Sequence, residues 1–441
     1  STTNAPINLG TAGNITLTGN CTLSSGSGAI TLFDIPGPAN CNLVLTGSGT
    51  NTLGVVNLGS GTLDLSGLTG GSTTVNGGLT AQALSTPAVA VNLAFNAGAG
   101  GQSSTITNAV TFSNTGTLTL GNDAGDSITF TGGVVATAPS SKSIGGTISS
   151  TDAAINFGGA GNITLTANTT LSSGAGNITL GGTVDADAAA NNRTLTLNST
   201  GITTLGGAVG GTQALLSLTT NAGGTTQING GSVTTTGVQT YGDAVTLGAG
   251  TTLTTTNSDV TFTGTVDGAQ ALTVSAGTGK VSFGWVVGGG TALTSVSVTS
   301  TNGGADAITL RSVTTSGAQS YTGNVTLGAN TSLTTTSNGS VSVTGTVSGA
   351  QDLTISANGT GTVSFGGDVT VGATAVGALS ISAASLSLGS NVDISTAAVN
   401  GNISLTVDGF TLGGTNTINA GSRTVAITPR TASYTVEFSP T

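Results

Sequence analysis

The chain has 441 residues, of which 5% are charged and 3% aromatic, with 74 glycines and neither histidine nor methionine, so most of the side chains that enzymes use are absent. Without imidazole there is no Ser-His-Asp or Cys-His nucleophile pair and no histidine metal ligand, and two cysteines cannot build a four-thiolate zinc site. The net charge is −10 and the six cations, Lys142, Arg193, Lys280, Arg311, Arg423 and Arg430, are dispersed, which excludes the basic surface that nucleic acid requires, while 36% hydrophobic content with so little charge marks a folded chain.

Taken in chain order, a short arm at 1–6 leads into 7–32, INLGTAGNITLTGNCTLSSGSGAITL, which recurs 148 residues later at 155–180 as INFGGAGNITLTANTTLSSGAGNITL. The numbered chain opens at Ser1 and contains no Met; removal of a secretion signal, or of an initiator Met alone, accounts for that, and the former sets the expectation of an exported protein. Cys21 and Cys41 are 20 residues apart, about one coil of a repeat fold, and the spacing predicts a disulfide. Such a bond would contribute about 3 kcal/mol in the chain-entropy account; two buried free thiols are the alternative. The longest apolar runs, such as AVAVNLAF at 88–95, are too short for a membrane-spanning helix.

Further along, NDAGD at 122–126, DAD at 185–187 and GGAD at 303–306 are the nearest approach to a calcium site. They lack the repeated GGxGxD pattern and read as turn aspartates, so no metal, cofactor or catalytic residue is assigned. Ser141 and Lys142 lie in APSSKSIGG, which reads as an exposed Pro- and Ser-rich loop. A repeat of about 80 residues then occupies 205–282 and 283–364, with 365–421 a degenerate copy. Tyr241 matches Tyr321, Phe283 matches Phe365, and Trp285 takes the place of a glycine in the 205–282 copy; it is either a carbohydrate-stacking residue or packing at a repeat junction. The last segment, 422–441, differs in composition: Arg423, Arg430, Tyr434 and Glu437 make it a C-terminal cap or an assembly segment following a continuous solenoid over 1–421.

Within every repeat, runs such as NITLT, AVTLG, DVTFTG and ALTVSA alternate apolar or small residues with Thr, Ser or Asn, the period of a half-buried strand, and Gly, Asn or Asp punctuates them. No segment carries a helical period. A globular sandwich would call for larger side chains; a parallel solenoid does not, because each coil buries its inward residues on the coils above and below. At about 20 residues per coil the chain predicts about 22 coils and an elongated rod.

GNITLTANTTLSSGAGNITLGGTV at 161–184 and GAQALTVSAGTGKVSFG at 268–284 resemble the repeats of filamentous-haemagglutinin-like bacterial surface proteins, over nearly the whole chain. The resemblance implies an all-β, right-handed parallel β-helix, export to the cell surface, and work as an adhesin, fibre or matrix component. The Asn-Pro-Asn-Gly type signature of two-partner secretion is missing, so the resemblance does not fix an export route. The expected function is a non-enzymatic extracellular structural protein, the subunit of a self-assembling filament whose partner is a second copy of the chain. The alternative is a rod-like part of a secreted adhesin that binds a cell-surface or matrix carbohydrate, and neither reading involves nucleic acid or a membrane span.

Overall fold

A computed structural model describes residues 1–10, 13–159, 161–190, 193–372 and 378–435. Strand covers 49% of the chain, and the described residues contain no helix; the sheets are parallel and stack as a β-solenoid of about 19 turns. The alternation read from the sequence is the cause. In Asn162–Gly174 every second residue, from Ile163 and Leu165 to Leu171 and Ser173, faces inward and is buried, and the threonines and asparagines between them face out.

Two compact units divide the chain, 1–230 and 231–441. In the first, one column of strands runs through Ile7–Leu9, Ile30–Leu32, Thr50–Leu53, Ser72–Val75, Asn92–Phe95 and Thr117–Leu120. A second column runs through Val56–Asn57, Leu79–Ala81, Ser103–Ile106 and Ser127–Phe130. The third face is built first by Cys21–Ser24, Leu43–Thr46, Thr62–Asp64 and Ala83–Ser85, and later by Val110–Thr111, Val134–Val135 and Ile155–Phe157. The long strands Ser141–Ser149 and Asn162–Gly174 turn a corner and belong to two columns at once. In this unit successive rungs are offset by between 20 residues (Ser72 opposite Asn92) and 26 (Thr170 opposite Thr196), which explains why there are fewer turns than a uniform 20-residue coil would give.

The second unit repeats the plan. One column holds Gln239–Tyr241, Val260–Phe262, Val281–Phe283, Ile308–Leu310 and Val325–Leu327. Another holds Ser232–Thr235, Thr251–Thr255, Ala271–Ser275, Ser295–Thr299 and Gln319–Thr322. A third ends in Leu379–Leu388, Ile403–Leu412 and Val425–Thr428, so the start of the compositionally distinct 422–441 segment forms one more rung.

Corners are fixed by side chains that reach to the next coil. Asn257 adopts a left-handed backbone (φ 56°), and its Oδ1 accepts the amide of Thr278 at 3.0 Å. Directly over it Gly277 has φ +57°, where a β-carbon would lie 2.4 Å from that same oxygen, so only glycine fits. The same clasp joins Asn4 to Ser27, Asp152 to Ala175 and Asn400 to Ser422.

Candidate functional site

The carboxylates serve corners. Asp126 is buried and accepts the amides of Gln102, Asn122 and Asp123 at 2.8 to 2.9 Å, and Asp185 accepts those of Thr212 and Gln213. Asp187 forms a bidentate pair with Arg193, and Asp306 pairs with Lys280 at 2.6 Å. No group of three potential metal ligands forms among the described residues.

Cys21 and Cys41 are free thiols, which corrects the expected disulfide. The coil at this point advances 22 residues, not 20: Cys21 lies opposite Leu43, two positions beyond Cys41, and Asn20 Oδ1 accepts the amide of Asn42. The sulfurs are therefore on offset rungs. Lys142 corrects a second expectation. It is not in an exposed loop: the strand starts at Ser141, and Lys142 takes an inward position between Leu118 and Ile163, only 1% exposed. Its Nζ donates to the Gly161 carbonyl at 3.4 Å, and burial lowers its pKa from the ordinary 10.5.

The interior of the second unit holds a polar motif that sequence reading passed over. Gln239 Nε2 donates to the carbonyls of Val233 and Thr254 and to Thr235 Oγ1, while its Oε1 accepts the Tyr241 hydroxyl at 3.0 Å. Gln319 and Tyr321 reproduce every one of these bonds with Val313, Thr334 and Thr315. Burial pushes both phenols far above their ordinary pKa. The recurrence of QTY as QSY 80 residues later was the available signal. These groups are fully satisfied by backbone and one another, which makes them structural.

The proposed assembly residues are dispersed. Arg430 turns back along its own unit, its Nη1 donating to the carbonyls of Gly359 at 2.8 Å and Ala357 at 3.3 Å. Beside it, the hydroxyl and amide of Thr431 hold the Asp408 carboxyl below its usual range. Tyr434 is exposed on the rim of a shallow recess with Phe410, Ile427 and Pro429, and Arg423 is exposed. Glu437 lies outside the described residues.

Exposed large apolar side chains lie on the terminal rungs and at scattered positions between them, among them Val89, Ile202 and Val238. Core positions become exposed on terminal rungs: Leu388 is 1% exposed and its partner Leu412 55%, Ile403 1% and its partner Val425 37%. In the first unit Leu9, opposite the buried Leu32, is likewise exposed. Away from the ends, Trp285 is 58% exposed, with the Arg311 guanidinium 5.8 Å from its ring centroid. Comparison with protein-family models, with curated proteins and with solved structures gives no match. The chain is a β-solenoid repeat protein, and no helix among its described residues is long and apolar enough to cross a membrane.

Proposed function

We propose that this chain is a non-enzymatic structural protein of the bacterial surface, secreted and assembled end to end with further copies of itself. The observation that supports the reading is a pair of core slices exposed on the first and last described rungs. Phe410, Leu412 and Val425 occupy ladder positions whose partners one coil earlier, Leu386, Leu388 and Ile403, are buried. Ile7 and Leu9 stand likewise against Ile30 and Leu32. Among the described residues each slice carries an open strand edge beside exposed apolar side chains, a combination that another parallel coil satisfies in both hydrogen bonding and burial. A contact of this kind is heterologous, so it propagates rather than closes. The coil of a longer solenoid would cover the same slice, and the filamentous-haemagglutinin-like character of the repeats supports the surface setting.

A second reading, a secreted adhesin that engages carbohydrate, is favoured by the exposed Trp285. Electron microscopy of the purified protein at neutral pH tests the first. Filaments are expected, and Leu412→Asp combined with Val425→Asp should reduce them to single particles that keep their β circular dichroism. Uniform single particles of the unaltered chain would refute self-assembly.

A further inference from the structure

Trp285 occupies a corner position that several coils give to glycine, while Asp243 after Tyr241 and Ser312 after Leu310 hold it on neighbouring rungs of the same column. Two residues after the inward-facing end of a strand, the corner is Gly207 after Leu205, Gly264 after Phe262, Gly345 after Val343 and Gly367 after Phe365. A β-carbon would lie 2.5 Å from the backbone of Gly182 at Gly207, 2.5 Å from the Asp243 carbonyl at Gly264, and 2.5 and 2.7 Å from backbone at the other two. Close stacking leaves no room for a side chain at those four corners. The corner after Phe283 carries the largest side chain available and leaves it 58% exposed, without burial to compensate.

Its neighbour is equally unusual. Arg311 is one of six cations in a chain of net charge −10, and among the described residues it forms no ion pair. It lies over the indole at a distance that supports a cation–π contact. Asp267 accepts the amides of Gly290 and Thr291, and Asp306 holds Lys280. The residues that follow Val287 are Gly288, Gly289 and Gly290.

We infer that Trp285 and Arg311 form a binding site for a carboxylated saccharide, the indole stacking on a pyranose face and the guanidinium pairing with the carboxylate. The ring supplies an apolar platform with a polar edge, and the guanidinium fork matches a carboxylate bidentately. A polyphosphate would meet one cation on an acidic protein, whereas a uronate demands only one.

Trp285 is the sole tryptophan, so its emission reports binding directly. Titration with oligogalacturonate should give a saturable emission change, while a neutral galactan oligosaccharide of equal length should bind at least about tenfold more weakly. Arg311→Gln should weaken oligogalacturonate binding by a similar factor, and added salt should weaken it in the unaltered protein. Trp285→Gly restores the residue that the repeat uses elsewhere; it should fold with unchanged circular dichroism and show no oligogalacturonate binding by calorimetry. No emission change with oligogalacturonate, an equal response to the neutral sugar, or unchanged binding by Arg311→Gln would each overturn the assignment. The outcome is separate from assembly: filaments that bind no oligogalacturonate sink this site alone, and single particles that bind it sink only the assembly.

Discussion

The two units fill their cores in different ways. In the first, Phe95, Phe112 and Phe130 come from three different faces of the coil and meet across the interior, with centroids 5.9 and 6.0 Å apart and rings tilted by 58° and 89°. In the second, Tyr241, Phe262 and Phe283 come from one column and stack along it, 4.9 and 5.1 Å apart and within 13° and 3° of parallel. The difference follows from repetition. Where consecutive rungs carry the same residue at the same register, the rung spacing itself imposes a stacked ladder; where they do not, rings settle edge to face wherever the cross-section leaves room. Interior polar groups divide in the same way. The repeating unit uses one satisfied Gln-Tyr network twice, and the other buries a single lysine on one long hydrogen bond.

Removing the middle ring of each trio is the strongest way to probe this contrast. Phe262→Ala and Phe112→Ala should each cost about 3–5 kcal/mol in denaturant unfolding. Phe262→Val should cost distinctly less than Phe112→Val, because Val343 already occupies the matching rung between Tyr321 and Phe365. Equal losses for the two valine variants would show that repetition confers no such tolerance. A smaller effect is expected from Gln319→Leu, which leaves the Tyr321 hydroxyl and the Thr334 carbonyl without their buried partner. The loss should be about 1–3 kcal/mol, and Gln239→Leu should match it, since the two networks are copies.

Smallest, and opposite in sign, is Lys142→Met. Burial lowers the folded-state pKa below 10.5, so between the two values the unfolded chain binds more protons and stability rises with pH. At neutral pH the variant should therefore melt higher, by about 2–4 °C, and the advantage should shrink as the pH approaches the ordinary lysine value. A constant difference across that range would mean that packing, not charge, sets it.

Much of this was legible beforehand. Period-two runs and Gly or Asn punctuation specified stacked parallel coils, and the 80-residue recurrence of Tyr241 as Tyr321 located matching rungs. Trp285 stood out as the replacement of a glycine. The environment of Arg311 beside it was not legible, because the contact joins rungs through a register that the intervening loops set. The Gln-Tyr network was missed for the same reason: both residues looked like ordinary members of alternating strands, and the further partners of Gln239 are 4 to 15 residues away around the coil.

The amino-acid order alone thus determined the kind of fold, since alternation assigns each side chain to the inside or the outside and small residues suffice when every coil is covered by the next. Only the tertiary structure decided which residues face one another from coil to coil. Coil length is the sum of several corner loops, and an error of two residues separates Cys21 from Cys41, while a shift of one would have put Lys142 in solvent instead of between Leu118 and Ile163.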